Sequence, residues 1–263
     1  MIRKRSVVLI ITLIIGAIIL LNLPSVFKYS VIGYKFFQKT TNQFKYTADI
    51  KFGLLDSMAV GKTDKSSLEH GFTEIYEETF AFLKNEPIRL CEIGIAQGGS
   101  LLMWKEYFPK AKIYGIDILN RHKMNSDRVE TFVADQSDRE QLQSFINEYG
   151  GDFDILIDDG GHAMNMQQIS FGFLFKFIKP GGYYVIEDVH TSSEKLGPYY
   201  GAEIGGGNST LTMIINFIRS GKIESKYLTN EECAYLSANI EYCTLFTRSN
   251  NIRSSMCIFK KKR

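Results

Sequence analysis

The chain has 263 residues, 44% hydrophobic and 23% charged, the balance of a folded globular protein and not of a disordered or fibrous one. With 31 Lys and Arg against 29 Asp and Glu, the formal charge is only +2, too weak a field to draw in nucleic acid, and no nucleic-acid partner is expected. Four cysteines without C-x-x-C spacing speak against both a disulfide scaffold and a thiolate zinc cluster.

Residues 1–6 form a basic flank with Arg3, Lys4 and Arg5, and the run from Ser6 to Phe27 has 22 residues without a charge. At about 1.5 Å rise per residue, a helix of that length covers the roughly 30 Å hydrocarbon layer of a bilayer. Residues 7–27 are therefore expected to form a transmembrane signal-anchor helix, with the lipid bilayer as partner and a single-pass membrane location. A cleaved signal peptide would want small residues at its cleavage site, and LNLPSVF offers none. Lys28, Lys35 and Lys39 match the three basic residues in front, so the charge rule leaves the side of the membrane open. Residues 28–60 lack a sustained period and read as a stem, and residues 61–263 as the folded domain.

Within that domain Leu68, Phe72, Ile75, Tyr76, Thr79 and Leu83 recur at helical spacing before Pro87 and predict a leading amphipathic helix. Strand-like runs follow at 89–95, 112–118, 129–134 and 153–158, with helical segments at 100–108, 138–149 and 164–178 between them. The 153–158 run, FDILID, is almost continuously apolar, as a strand covered on both faces should be. A Pro180-Gly181-Gly182 turn precedes a fifth strand at 183–187, a helix is expected near 210–219, and two strands near 242–248 and 255–260 close the chain. This alternation predicts an α/β fold, a doubly wound, mostly parallel seven-stranded sheet. Ligands of such sheets bind beyond the carboxyl ends of the strands, where the strand order reverses.

The first strand runs into Glu92-Ile93-Gly94-Ile95-Ala96-Gln97-Gly98-Gly99-Ser100, a glycine turn that opens a helix. Gly94 and Gly98 let backbone approach a ligand, and the helix start offers free N–H groups; Ser100 reads as a ligand contact, a helix cap, or both. Asp117 ends the second strand, where a carboxylate can accept both hydrogen bonds of a ribose diol. Asp135 and Gln136 end the third, placed for an adenine edge. Without a Walker-type Lys-Ser/Thr for a triphosphate, the pattern favours an adenosyl donor over ATP.

The fourth strand ends Asp158-Asp159-Gly160-Gly161-His162 and the fifth Glu187-Asp188-Val189-His190. Neighbouring strands lie about 4.8 Å apart, so these tips bring several carboxylates into one small volume. Like charges that close cannot all stay ionised without a counter-charge. All-oxygen ligands suit Mg²⁺ or Mn²⁺, and Asp159, Glu187 and Asp188 are the expected metal ligands. His162, three residues past Asp159, is the candidate general base. His190, Tyr199 and Tyr200 are candidate acceptor-side residues; the 197–209 segment that carries the tyrosines reads either as a lid or as a solvent loop. Asn208-Ser209-Thr210 is a glycosylation sequon that matters only if the domain is lumenal.

Together TDKSSLEHGFTEIYEETF, EIGIAQGGSLLMWKEYFPKAKIYGIDI, VADQSD, FDILIDDGGH and KPGGYYVIEDVHTS resemble the metal-dependent sugar O-methyltransferases of macrolide-type pathways. That resemblance, running from about 61 to 192, implies a Rossmann-like class I methyltransferase fold that binds S-adenosylmethionine through Glu92 to Ser100, Asp117 and Asp135. It also implies Mg²⁺ on Asp159, Glu187 and Asp188, His162 as base, and a small-molecule or glycan hydroxyl as acceptor. A homo-oligomer is compatible with the sequence. Two other readings stay open: a cephalosporin-hydroxylase-like metal-dependent enzyme on the same fold, and a non-catalytic membrane-anchored binding protein.

Overall fold

The computed structural model describes residues 43–47, 53–248 and 254–263. In chain order, strand β1 (Gln43–Thr47) and helix α1 (Leu54–Ala59) come first, both from the stretch read as a stem. Helix α2 (Phe72–Phe80), strand β2 (Arg89–Ile93), helix α3 (Gly99–Tyr107) and strands β3 (Lys112–Asp117) and β4 (Val129–Val133) follow. Next are helix α4 (Arg139–Tyr149), strand β5 (Phe153–Asp158), helix α5 (Met164–Leu174) and strand β6 (Ile178–Ile186). Helices α6 (Thr210–Ser220) and α7 (Asn230–Asn239) and strands β7 (Ile240–Arg248) and β8 (Ser255–Lys261) complete the described chain.

Among the described residues the sheet has eight strands, in the order β1-β7-β8-β6-β5-β2-β3-β4. The expected seven are all present, and β1 adds an eighth by pairing parallel to β7. Only β8 runs antiparallel, between β6 and β7. The chain steps outward from β2 through β3 to β4, then returns to lay β5 on the other side of β2, so the order reverses between β2 and β5. Register aligns the tips there: Ile93 pairs with Asp158, and Asp158 with Ile186.

Side chains alternate between the two faces of a strand. Leu90, Ile155, Ile157, Tyr183 and Val185 face a core layer shared with α1, α2 and α3. Cys91, Ile93, Leu156, Tyr184 and Ile186 face the opposite layer, with α4, α5, α6 and α7. Parity then places Glu92, Asp159 and Glu187 on the α1–α3 side and Asp158 on the other, and this sorts the acids at the tips.

Several sequence expectations need correction. The leading helix begins at Phe72, not Leu68, which is 70% exposed in the preceding loop. Pro180-Gly181-Gly182 interrupts β6 from within, the pairing passing from Phe153–Ile178 to Ile155–Tyr183. Helix α7 was not foreseen; its Thr229 capping box is legible only once the helix is known. The expected anchor at 7–27 and its basic flank lie outside the described residues. Among the described residues no helix is long and apolar enough to cross a membrane. The expectation of a fold preceded by a spanning helix, and with it the single-pass membrane location and bilayer partner, is corrected accordingly. An uncharged run expresses only a transfer preference, whereas crossing needs some twenty residues of continuous helix.

Candidate active site

At the switch point lies a cavity of about 490 Å³, within the roughly 300–1,000 Å³ range of small-molecule sites. Its walls come from the glycine turn after β2, from Asp117 after β3, from Asp135 and Gln136 after β4, and from Asp159 to His162 after β5. Lys62, Thr63 and Asp64 close it from the loop ahead of α2.

The donor-side residues divide by what their side chains hold. Asp117 is buried, with Oδ2 accepting from the Ile95 and Ala96 N–H groups at 2.9 and 3.1 Å and Oδ1 from Leu119 N–H at 2.8 Å. It shapes the glycine turn and has Arg121 Nε as a fourth donor, 3.5 Å from Oδ2. Gln136 does not offer an edge to an adenine: its Nε2 donates to both Asp158 oxygens and its Oε1 accepts from Gly161 N–H at 2.7 Å. Glu92 turns away from the cavity and is fully buried, accepting from the Ser100 hydroxyl at 2.7 Å. Helix α3 is capped by Gly98 in the left-handed region, so Ser100 is not its cap. Asp135 lines the cavity, one oxygen accepting from the Ser137 N–H and hydroxyl.

The acid cluster lies against this cavity, which has Asp159 and His162 in its wall. Lys65, which sequence reasoning missed, is fully buried at its centre: Nζ donates to Asp159 and lies 3.1 Å from both Glu187 oxygens and 3.3 Å from Glu92. Tyr76 donates its hydroxyl to Glu187 Oε1, and Gln167 holds the Glu187 carbonyl at 2.9 Å. Asp188 points elsewhere, with His162 Nε2 at 3.5 Å from Oδ2 and the Nδ1 atoms of His70 and His190 at 3.7 and 3.6 Å from Oδ1. His162 and Asp188 both adopt left-handed backbone, with φ of 55° and 53°. Thr191 Oγ1 lies within 3.2 Å of the His162 carbonyl and 2.9 Å of that of Asp188, which ties the two strained turns together. Tyr199 is 85% exposed, and neither it nor Tyr200 lines the cavity. Asn208 spends its amide on Gly201, Tyr227 and the Glu203 N–H.

Burial pushes the Glu187 carboxyl well above its ordinary value, and Asp159 pushes it further against the pull of Lys65. Asp188 is raised by burial too, with His162 pulling the other way. Burial alone would lower Lys65, but Asp159, Glu187 and Glu92 reverse this and hold its ammonium well above the usual lysine value. Three carboxylates share one ammonium, and Asp188 stands beside them among histidines. Asp188 Oδ1 is buried without a hydrogen-bond donor, and Asp159, His162 and Asp188 offer ligand atoms within 4.8 Å of one another. These residues fit a hard divalent cation. The expected trio is thus split: Asp159 and Asp188 open towards His162, while Glu187 faces Lys65.

The sheet order and this site define a class I, Rossmann-like methyltransferase fold. Structural similarity agrees: the MycE methyltransferase of the mycinamycin pathway, solved with Mg, SAH and mycinamycin VI, superposes with a TM-score of 0.65 at 31% identity, covering 81% of this chain and 56% of that one. The chain is a relative of the macrolide and tetracenomycin sugar O-methyltransferases. It is 42% identical over 137 residues to a tetracenomycin-C rhamnosyl 3'-O-methyltransferase of Streptomyces olivaceus, covering 49% of this chain and 35% of the relative. It is 41% identical over 137 residues to the mycinamicin VI 2''-O-methyltransferase of Micromonospora griseorubida, 49% of this chain and 34% of that enzyme. The L-olivosyl-oleandolide 3-O-methyltransferase of Streptomyces antibioticus matches at 32% over 198 residues, 71% of this chain and half of that enzyme. The matched segment thus spans a third to a half of these relatives. No protein-family model matches.

Proposed function

We propose that the chain transfers a methyl group from S-adenosylmethionine to a sugar hydroxyl with the help of Mg²⁺ or Mn²⁺. One observation carries this reading: the donor-sized cavity and the acid cluster share a wall, Asp159 to His162. The donor's sulfonium is already an excellent leaving group, so the obstacle is the poor nucleophilicity of a neutral alcohol. A divalent ion on Asp159 and Asp188 would acidify and orient the acceptor hydroxyl. Lys65 and Tyr76 hold Glu187 beside Asp159 as the third carboxylate of the centre. His162, partly exposed in the cavity wall with Nε2 3.5 Å from Asp188 Oδ2, is the residue placed to take the hydroxyl proton. Asp188 then stabilises the imidazolium that forms. The relatives' names give a rhamnosyl tetracenomycin-C, mycinamicin VI and an olivosyl-oleandolide as what they methylate, which supports a sugar or glycan acceptor. The hydroxylase-like alternative is separated by its metal: His70, His162 and His190 all lie within 3.7 Å of Asp188, and activity that requires iron instead of Mg²⁺ would favour it.

The test is incubation of the full chain with labelled donor, Mg²⁺ and a panel of glycosides, read by mass spectrometry. Incorporation of one methyl group, abolished by chelation, is expected; donor turnover indifferent to chelation would overturn the metal-assisted reading.

A further inference from the structure

Two sets of ligand atoms lie side by side in the centre and share Asp159. One gathers Asp159 and Asp188 beside the base His162; the other is Glu92, Asp159 and Glu187, each group with its atoms within 4.8 Å of one another. Two adjacent cation positions bridged by a carboxylate are the arrangement of a two-metal site, where ions sit about 3.5–4 Å apart. Here the second position is taken by protein. The Lys65 ammonium contacts all three of its carboxylates and is fully buried. It comes from the loop whose preceding residues, Lys62 to Asp64, wall the donor cavity.

We infer that Lys65 is a built-in cation that fills one of two adjacent cation positions and so limits the centre to a single divalent ion. This rests on the divalent-ion reading above. A tethered single charge neutralises Glu92, Asp159 and Glu187 only in part, which leaves Asp159 able to serve the neighbouring position. It is also permanent, so Glu187 stays ordered whether or not the neighbouring position is filled. Lys65 is on this account a positioning residue. Glu92, which lies on the donor strand but faces away from the donor, is explained as the third wall of the ammonium's pocket.

Mn²⁺ is the probe, titrated into the full chain without donor or acceptor and followed by calorimetry and electron paramagnetic resonance. The wild-type chain is expected to take up one ion with the signal of an isolated Mn²⁺. Lys65→Met and Lys65→Gln are expected to take up two, with a signal broadened by coupling, and to gain more thermal stability from Mn²⁺ than the wild type does. Adding Glu92→Gln to Lys65→Met is expected to return the count to one. Two coupled ions in the wild type, or a single ion in a folded Lys65→Met chain, overturn the inference. Failure of both lysine variants to fold even in saturating Mn²⁺ also overturns it, because the ion then cannot replace the ammonium. No ion bound to the wild type defeats the divalent-ion reading itself.

Discussion

Gly94 joins the donor turn to the metal-side acids, and Gly94→Ala tests that joint. The residue sits at φ +87°, and a Cβ there would lie 2.0 Å from the Asp159 carbonyl oxygen and 3.0 Å from Gly160 Cα. Non-bonded carbons rest about 3.5–4.0 Å apart, so one backbone must yield by about 1 Å or more. Neither can do so freely: Gly94 N–H donates to Ile116 at 2.8 Å and Asp159 N–H to Ile93 at 2.9 Å. The left-handed conformation costs a side chain about 1–2 kcal/mol and one weakened backbone hydrogen bond about 0.5–1.5 kcal/mol, so the loss should be about 1.5–3.5 kcal/mol. Gly201→Ala is the control, with φ +84° and open space around the same Cβ. It carries only the conformational cost, about 1–2 kcal/mol. Denaturant unfolding of both variants gives the comparison. A displacement of Asp159 by about 1 Å should further lower methyl transfer by about 10²-fold. Equal destabilisation of the two variants, with Gly94→Ala fully active, would refute the claim that backbone contact at Asp159 forces glycine at this position.

Other outcomes follow from the same geometry. His162→Asn, chosen because asparagine tolerates the left-handed backbone, should leave the fold and donor affinity intact and lower kcat by about 10²- to 10⁴-fold, measured by single-turnover transfer. Gln136→Leu leaves Gly161 N–H and Asp158 short of partners and should cost about 1–3 kcal/mol in unfolding experiments; a loss confined to donor affinity would mean that Gln136 serves the adenine instead. Thr229→Ala removes the α7 capping box and should cost about 1 kcal/mol in thermal or denaturant unfolding. Partial burial pulls Glu232 upward, but Arg139 and the Thr229 N–H outweigh it and hold the carboxyl below its ordinary 4.5. A depressed folded value means that the Arg139–Glu232 contribution is present above pH 4.5 and lost as pH falls below it. Glu232→Gln should flatten that acid limb in pH-dependent unfolding.

The choice of Asp159 over Asp158 shows how far pattern reaches. The two are adjacent, but strand parity sends Asp158 to Gln136, Ser170 and Tyr184 and Asp159 to the cluster. Gln136 shows where pattern stops. Its position at a strand end was legible, but its amide could equally face a base or brace the neighbouring turn, and only the packing of β4 against the 158–161 turn decides between them. Tyr76 was rightly placed on the buried face of a helix; nothing local indicates that its hydroxyl ends on a carboxylate 111 residues away.

Periodicity, glycine placement and acids at strand ends are properties of neighbouring residues, and they were enough to predict the doubly wound sheet and to set Asp159, His162, Glu187 and Asp188 at its neighbouring strand tips. The eighth strand, the cation at the centre of the carboxylates and the division of those carboxylates into two positions were decided in three dimensions. Lys65 meets acids 94 and 122 residues further along, and that meeting depends on how the loop ahead of α2 lies across the sheet, which no local period encodes.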